Sequence, residues 1–99
     1  PAAACLSSRI PRGITITRST LSRVERAEDA LAQEGFRQYR VRDHGEIARI
    51  ELAVEELPGL LQPGRRERLA ETLKKLGYRF VTVDLEGYRQ GGVSLIPPA

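Results

Sequence analysis

FRQYRVRDHGEIARIEL, residues 36 to 52, alternates apolar and polar side chains with period two on both sides of the dipeptide His44-Gly45. Such alternation is typical of half-buried strands. A histidine–glycine pair flanked by Asp43 and Glu46 favours a two-residue hairpin turn. The stretch therefore predicts two antiparallel strands joined at His44 and Gly45.

This turn separates the side chains of the hairpin onto two faces. It places Arg40 opposite Arg49 and Arg42 opposite Ile47. One face, expected to contact the helices, carries Tyr39, Val41, Ala48, Ile50 and Leu52. The other, open face carries Gln38, Arg40, Arg42, Arg49 and Glu51.

The open face brings like charges together, which costs roughly 0.2 to 1 kcal/mol for a directly opposed pair. A bound phosphate or carboxylate would supply the missing anion. Alternatively, Glu51 and Asp84 neutralise the arginines on a solvated surface. A hairpin shifted by one residue would exchange the two faces.

Two amphipathic helices flank the hairpin region. Apolar positions recur at helical spacing from about Ser19 to Glu34 and again from about Arg65 to Leu76, and a glycine, Gly35 or Gly77, follows each segment. Residues 79 to 85 then predict a third strand. The segments 35–41 and 77–83 are similar, so either a helix-then-strand unit occurs twice or any glycine-capped helix entering a strand looks this way.

These elements predict an α+β domain in the order α-β-β-α-β. A small antiparallel sheet with two helices on one face, a ferredoxin-like half sandwich, would bury both helical stripes. Residues 1–18, which carry the cysteine, are expected to form a loop or linker before a domain over 19–99. The chain begins with Pro1 rather than methionine, so we expect it to be cut from something longer.

Composition narrows the function classes. The 99 residues include 16 basic and 13 acidic side chains, one cysteine and one histidine. A single cysteine cannot form an internal disulfide, and one cysteine with one histidine is too few for a self-contained metal site. The mixed charges argue against nucleic-acid binding, and no stretch is apolar enough for a signal peptide or membrane span, so we expect a cytoplasmic protein with no metal and no membrane partner.

Cys5 is the candidate nucleophile. It lies in an irregular segment with Arg9 and Arg12 close behind it, and nearby guanidinium groups favour the reactive thiolate. No histidine is near it in sequence, so a cysteine–histidine hydrolase is weakly supported. From these residues alone, an inert cysteine is favoured over a catalytic one.

Four segments, in order and at similar spacing, resemble the LarE family of ATP-dependent sulfur transferases: Ala4–Pro11, Arg40–Arg42, Ile47–Glu51 and Val83–Arg89. The resemblance covers nearly the whole chain. It implies the C-terminal domain of such a protein, which would follow an N-terminal ATP-pyrophosphatase domain absent here. The chain has no glycine- and serine-rich phosphate loop, so this piece alone is not expected to be an active enzyme.

The resemblance also implies a chemistry. A carboxylate of a pyridinium dicarboxylate mononucleotide would be activated with ATP and Mg²⁺, bound mainly by the missing domain, and would take its sulfur from Cys5, leaving dehydroalanine. The product would serve the nickel-pincer cofactor of lactate racemase. Arg40 and Arg42 match the pair expected to hold substrate phosphate, Arg49 and Glu28 are further pocket candidates, and Arg9 supports the thiolate. The family also suggests a homo-oligomer, and a single cysteine favours a self-consuming, single-turnover donor.

Two other readings compete with this one. The chain could be a non-catalytic ferredoxin-like module that binds a small anion or mediates oligomerisation, with Cys5 incidental. It could also be an RNA-contacting module of a thiolation enzyme, but the open face offers only Phe80 for base stacking, where RNA-binding sheets present two or three aromatics.

Overall fold

The computed structural model describes residues 17–88, and the fold follows from short elements within that range. The helices are α1 (Arg18–Gln33), α2 (Leu57–Leu60) and α3 (Arg65–Lys75), with a 3₁₀ turn at Val54–Glu56. The strands are β1 (Tyr39–Asp43), β2 (Ile47–Leu52) and β3 (Phe80–Val83). The predicted α+β class and the order of the main elements are confirmed.

Both long helices end in the same glycine-based cap. Phe36 donates its amide to the carbonyl of Leu31 at 3.2 Å, and Tyr78 donates its amide to that of Leu73 at 3.3 Å, each across a glycine with positive φ. These are Schellman caps, in which the residue after the glycine commonly packs against the helix. Phe36 and Tyr78 are accordingly buried. The two similar segments of sequence thus correspond to two copies of one capping geometry.

The register of the hairpin differs from the predicted one by two residues. Arg42 lies opposite Arg49, and Arg40 lies opposite Glu51. The amide of His44 donates to the carbonyl of Ile47 at 2.9 Å, so Gly45 and Glu46, not His44 and Gly45, are the central residues of the turn. Because side chains alternate with period two, a shift of two residues leaves every side chain on its predicted face.

The sheet is mixed, where a wholly antiparallel sheet was expected. Its order is β1-β2-β3; β1 and β2 are antiparallel, whereas β2 and β3 are parallel. A helix connection that returns the chain to a neighbouring position in the same sheet makes a βαβ unit, and this requires parallel strands. The expectation failed because it did not place the last strand directly beside β2.

The core lies between the sheet and both long helices. Val24, Ala27 and Leu31 of α1 and Leu69 and Leu73 of α3 are buried there. All of these except Val24 belong to one cluster with the apolar face of the hairpin, whose members are Val41, Ala48, Ile50 and Leu52. The arginine-bearing face of the sheet is the one turned away from the helices, as predicted. None of the described helices is long and apolar enough to cross a membrane.

A polar cluster is buried at the turn end of this core. Asp43 is fully buried, and its carboxylate accepts hydrogen bonds from Arg23 Nε and NH2 at 2.9 and 3.0 Å. It also accepts from the Tyr78 hydroxyl and the Gly45 amide, both at 2.8 Å. The guanidinium of Arg23 lies 4.1 Å from the centre of the Tyr78 ring. Burial, followed by the hydrogen bond to Asp43, raises the pKa of Tyr78.

We expect Asp43→Asn to lower the free energy of unfolding by about 3 kcal/mol, because it leaves the partly buried guanidinium of Arg23 without its counter-charge. Tyr78→Phe removes one hydrogen bond to that carboxylate and should cost less, about 1.5 to 3 kcal/mol. Urea unfolding measures both. Asp29→Asn, an exposed change on α1, is the matched control and should stay within about 0.5 kcal/mol. If Asp43→Asn changed the free energy of unfolding no more than Asp29→Asn does, the buried polar cluster would not be what stabilises the fold.

Candidate functional site

The candidate site lies on the side of the sheet that is turned away from the helices. We call it the arginine face and define it by the side chains of Arg40, Arg42 and Arg49. All three project away from the helices, because the intervening Val41, Ala48 and Ile50 face the core. The geometric part of the sequence prediction is therefore confirmed. The binding role of these arginines stays a prediction.

One carboxylate bridges two of the arginines. Glu51 is only 3% exposed, and its Oε2 atom lies 2.7 Å from Arg42 Nε and 3.6 Å from Arg49 NH2. Asp84 lies on the other side of Arg49, with Oδ2 at 3.9 Å from Nε. The directly opposed like-charge pair is thus Arg42 with Arg49, not Arg40 with Arg49 as predicted, and Glu51 offsets it. Among the described residues, three guanidiniums lie with two carboxylates on this side of the sheet, so these five side chains together carry a positive charge.

Arg40 is held by an aromatic side chain. Its NH2 group donates to the Tyr88 hydroxyl at 3.2 Å, and its guanidinium lies 5.0 Å from the centre of the Tyr88 ring. Tyr88 is placed by its own amide, which donates to the Leu52 carbonyl at 2.6 Å. Gly87 permits this approach, since it has φ +86° and a Cβ there would lie 2.9 Å from the Leu52 carbonyl oxygen.

Three buried side-chain nitrogens among the described residues have no hydrogen-bond partner: Arg40 Nε, His44 Nε2 and Arg49 Nε. Buried nitrogens are normally paired, so each unpaired one calls for an explanation. Here all three belong to one small area, the arginine face and the turn beside it.

The electrostatics of His44 fit the same picture. Burial lowers the pKa of this imidazole, and the nearby charges of Arg49 and Arg42 lower it further, while Asp43 and Glu51 act in the opposite direction. The imidazole is therefore neutral at physiological pH, in an environment dominated by positive charge.

Glu28 lies elsewhere. Its Oε2 accepts the backbone amide of Val41 at 3.0 Å, so it ties α1 to the outer edge of β1. Free amides on edge strands are available for unwanted pairing, and an acceptor from a helix satisfies this one. The structure shows this tie; the expected part of Glu28 in a substrate pocket stays a prediction.

Cys5 and Arg9 lie outside the described residues, so their distance from the arginine face is not part of the structure. Within residues 17–88, no group of three histidine, cysteine, aspartate or glutamate side chains could hold a metal ion.

Sequence reasoning missed three contributors to this region. Tyr88 was noted only as part of a motif, His44 only as a turn residue, and the bridging geometry of Glu51 depends on the register that was wrongly predicted. The sequence does carry one usable signal. Glu51 alternates onto the same face as the arginines, so a neutralising role for it could be expected, and the structure confirms that role for Arg42 and Arg49.

We expect Glu51→Gln to lower the free energy of unfolding by about 3 kcal/mol, because the opposed Arg42 and Arg49 would lose their bridging charge. Added neutral salt should recover part of the loss, since it screens the remaining repulsion. Urea unfolding at low and high sodium chloride measures this. Glu71→Gln, which removes an exposed partner of Lys75, is the control and should change little at either salt concentration. A loss independent of salt would speak against charge repulsion as its cause.

The chain is similar to two longer proteins. It is 43% identical over 96 residues to an uncharacterized protein of Synechocystis sp., covering 97% of this chain and 36% of that protein. It is 41% identical over 90 residues to the pyridinium-3,5-bisthiocarboxylic acid mononucleotide synthase of Lactiplantibacillus plantarum, covering 91% of this chain and 32% of that protein. The chain thus spans about a third of the length of each relative. No protein-family model matches it.

Proposed function

We propose, on the now confirmed resemblance to the LarE family, that this chain is the sulfur-donating and phosphate-binding part of an ATP-dependent sulfur transferase. Its substrate would be a pyridinium dicarboxylate mononucleotide, and its product the thiocarboxylate used for a nickel-pincer cofactor. One observation carries the proposal: Arg40, Arg42 and Arg49 project from one face of the sheet, and their described carboxylate partners, Glu51 and Asp84, are fewer than the arginines. Arginine suits this role, since its guanidinium binds phosphate and carboxylate with paired hydrogen bonds.

The arginine face is built for an anion. Glu51 engages Arg42 through Nε, and Tyr88 engages Arg40, so these long side chains are held in place before a ligand arrives. Preorganised donors bind more tightly because less side-chain entropy is lost on binding. The substrate phosphate would lie here, with its pyridinium carboxylates directed to the reacting sulfur.

In the proposed reaction, ATP with Mg²⁺ supplies the adenylyl group that activates a substrate carboxylate, and residues beyond this chain would bind it. The Cys5 thiolate attacks the activated carbon, AMP leaves and a thioester forms. A base then takes the Cα proton of Cys5 and the Cβ–S bond breaks. The sulfur leaves as the product's thiocarboxylate, and Cys5 becomes dehydroalanine. Arg9 would favour the thiolate form at the start.

Chain length permits this encounter. Cys5 and Thr17, where the described chain begins, are twelve residue steps apart, a length of chain that can span at most roughly 40 Å. The Arg23–Asp43 bonds place the N-terminal half of α1 at the turn end of the hairpin. A three-stranded sheet is only about 10 Å wide, so a linker of this length can carry Cys5 round to the open face.

A second candidate function is a non-catalytic anion-binding module, and the ion pairs of Glu51 and Asp84 favour it in one respect. They already neutralise much of the arginine charge, as a solvated surface would require. Reactivity of Cys5 separates the two functions, since the module would leave the cysteine unchanged.

For the arginines, we expect Arg40→Gln and Arg42→Gln to weaken binding of the mononucleotide by about tenfold or more, the effect of losing a charge-assisted hydrogen bond worth about 1.5 to 3 kcal/mol. Calorimetry on the protein containing this chain measures the affinity. Arg66→Gln, an exposed change on α3, is the control. Because Arg42→Gln alone strands the buried Glu51, the double variant Arg42→Gln/Glu51→Gln tests binding in a neutral background. If the variants fold and bind the mononucleotide as tightly as the unaltered protein, the arginines are only part of a solvated surface and do not bind the substrate.

For the cysteine, we expect Cys5 to lose the elements of hydrogen sulfide after one turnover with ATP, magnesium and the mononucleotide. Peptide mass spectrometry locates the change, and a small thiol added afterwards should label the dehydroalanine. Cys5→Ala should yield no thiocarboxylate. Product formation with a Cys5 peptide of unchanged mass would contradict a sacrificial donor.

A further inference from the structure

We propose that His44 is a further anion-contacting residue of the arginine face, where its Nε2–H binds a dianionic oxyanion such as a phosphate monoester alongside Arg42 and Arg49. This inference deepens the proposed function, and rests on it only for the statement that the phosphate is the substrate's own. The contact with a dianion can be tested with a simple inorganic ion.

The register places His44 beside both arginines. It pairs across the turn with Ile47, to whose carbonyl its amide donates at 2.9 Å. His44 follows Arg42 by two residues, just past the end of β1, so its side chain lies on the same face of the hairpin as that of Arg42. Across the hairpin it is diagonal to Arg49, and diagonal neighbours about 7 to 8 Å apart are within reach of long side chains. His44 therefore closes the turn end of the arginine face.

Among residues 17–88, Nε2 of His44 and Nε of Arg49 are buried and have no hydrogen-bond partner, although Oδ2 of Asp84 lies 3.9 Å from the Arg49 atom. An unpaired buried donor is unfavourable, so the fold tolerates two such atoms on diagonal neighbours of the hairpin. Their common feature is that each can donate to an oxygen, and the neighbouring groups that could accept are already engaged: Glu51 by Arg42, and Asp43 by Arg23, Tyr78 and Gly45. One oxyanion between His44 and Arg49 would pair both nitrogens.

The charges around His44 determine how a bound anion would change the pKa of its imidazole. Arg42 and Asp43 surround it from β1, and Arg49 and Glu51 from β2. Asp84 follows β3 and Arg23 reaches across from α1, and both are engaged in ion pairs. Burial and the two arginines disfavour the charged imidazole, which lowers the pKa of His44. A bound dianion would reverse the sign of the nearest charge and raise that pKa.

Anion affinity should therefore depend on pH through the protonation of His44. Above the raised pKa the imidazole is neutral with or without the anion, so affinity does not change with pH there, and His44 contributes only the hydrogen bond from its neutral Nε2–H. As the pH falls through the raised pKa, the complex takes up a proton and affinity increases until the pH reaches the lower pKa of the free state. A carboxylate, with one charge, would produce a weaker effect than a dianion, so His44 distinguishes phosphate from carboxylate on this face.

His44 is the chain's only histidine, which makes the measurement direct. The imidazole C–H signal is followed by NMR from about pH 5 to about pH 8, the range in which histidine titrates. Sulfate is the probe, since it stays a dianion throughout this range, and acetate and chloride at equal ionic strength are the controls. We expect the midpoint to lie below 6.5 without sulfate and to rise with it. A rise of about one pH unit corresponds to sulfate affinity about tenfold higher at the low-pH end.

Variants separate contact from a general charge effect. Arg49→Gln should abolish the sulfate-induced rise, whereas Arg66→Gln on α3 should leave it intact. His44→Gln should keep the fold and weak sulfate binding but lose the pH dependence of affinity. The proposal is overturned if the His44 midpoint stays fixed while the guanidinium signals of Arg40 and Arg49 report sulfate binding, if acetate shifts it equally, or if sulfate does not bind. A sulfate response without mononucleotide binding would instead reject the proposed function and leave this inference standing.

Discussion

The buried carboxylate of Asp43 joins parts of the fold that are distant in sequence. It receives Arg23 from α1, the Gly45 amide from the hairpin turn and Tyr78 from the cap of α3. A buried charge costs several kcal/mol unless it is paired and fully hydrogen-bonded, so the partners have to arrive together. Because one partner is a backbone amide in the turn, the carboxylate also selects the turn. It thereby sets the register that places Arg42 opposite Arg49.

The arginine face inherits its arrangement from that register. Glu51 lies between two guanidiniums only because Arg42 and Arg49 are directly opposed, and the predicted pairing of Arg40 with Arg49 would have separated them differently. The bridge serves two ends at once. It offsets a repulsion that would otherwise weaken the hairpin, and it fixes the arginines without neutralising the third, Arg40. Stability and a remaining positive charge are compatible here because the carboxylates are fewer than the arginines.

How much the sequence revealed depended on the kind of information each feature needs. Period-two alternation requires only the parity of each position, so the assignment of Arg40, Arg42 and Arg49 to one face survived a register error of two residues. The turn depends on a local hydrogen bond, from the Gly45 amide to the Asp43 carboxylate two residues earlier, and the sequence analysis did not take it into account. β3 reads as a strand locally, but its parallel pairing depends on where the α3 crossover returns it. Arg23 and Tyr78 had no local signal, since an arginine on a helix usually faces solvent and the partner carboxylate is 20 residues away.

The same reasoning explains why the candidate site is distributed over several elements. A binding face made only of hairpin residues would be two strands of charged side chains with nothing to fix them. Here Tyr88 returns from beyond β3 to hold Arg40, and Asp84, just past β3, flanks Arg49. Both contacts depend on β3 lying beside β2, which carries the chain past the end of the sheet and back over its open face. The parallel strand that the sequence did not predict is therefore what completes the arginine face, on the side of the sheet opposite the helices.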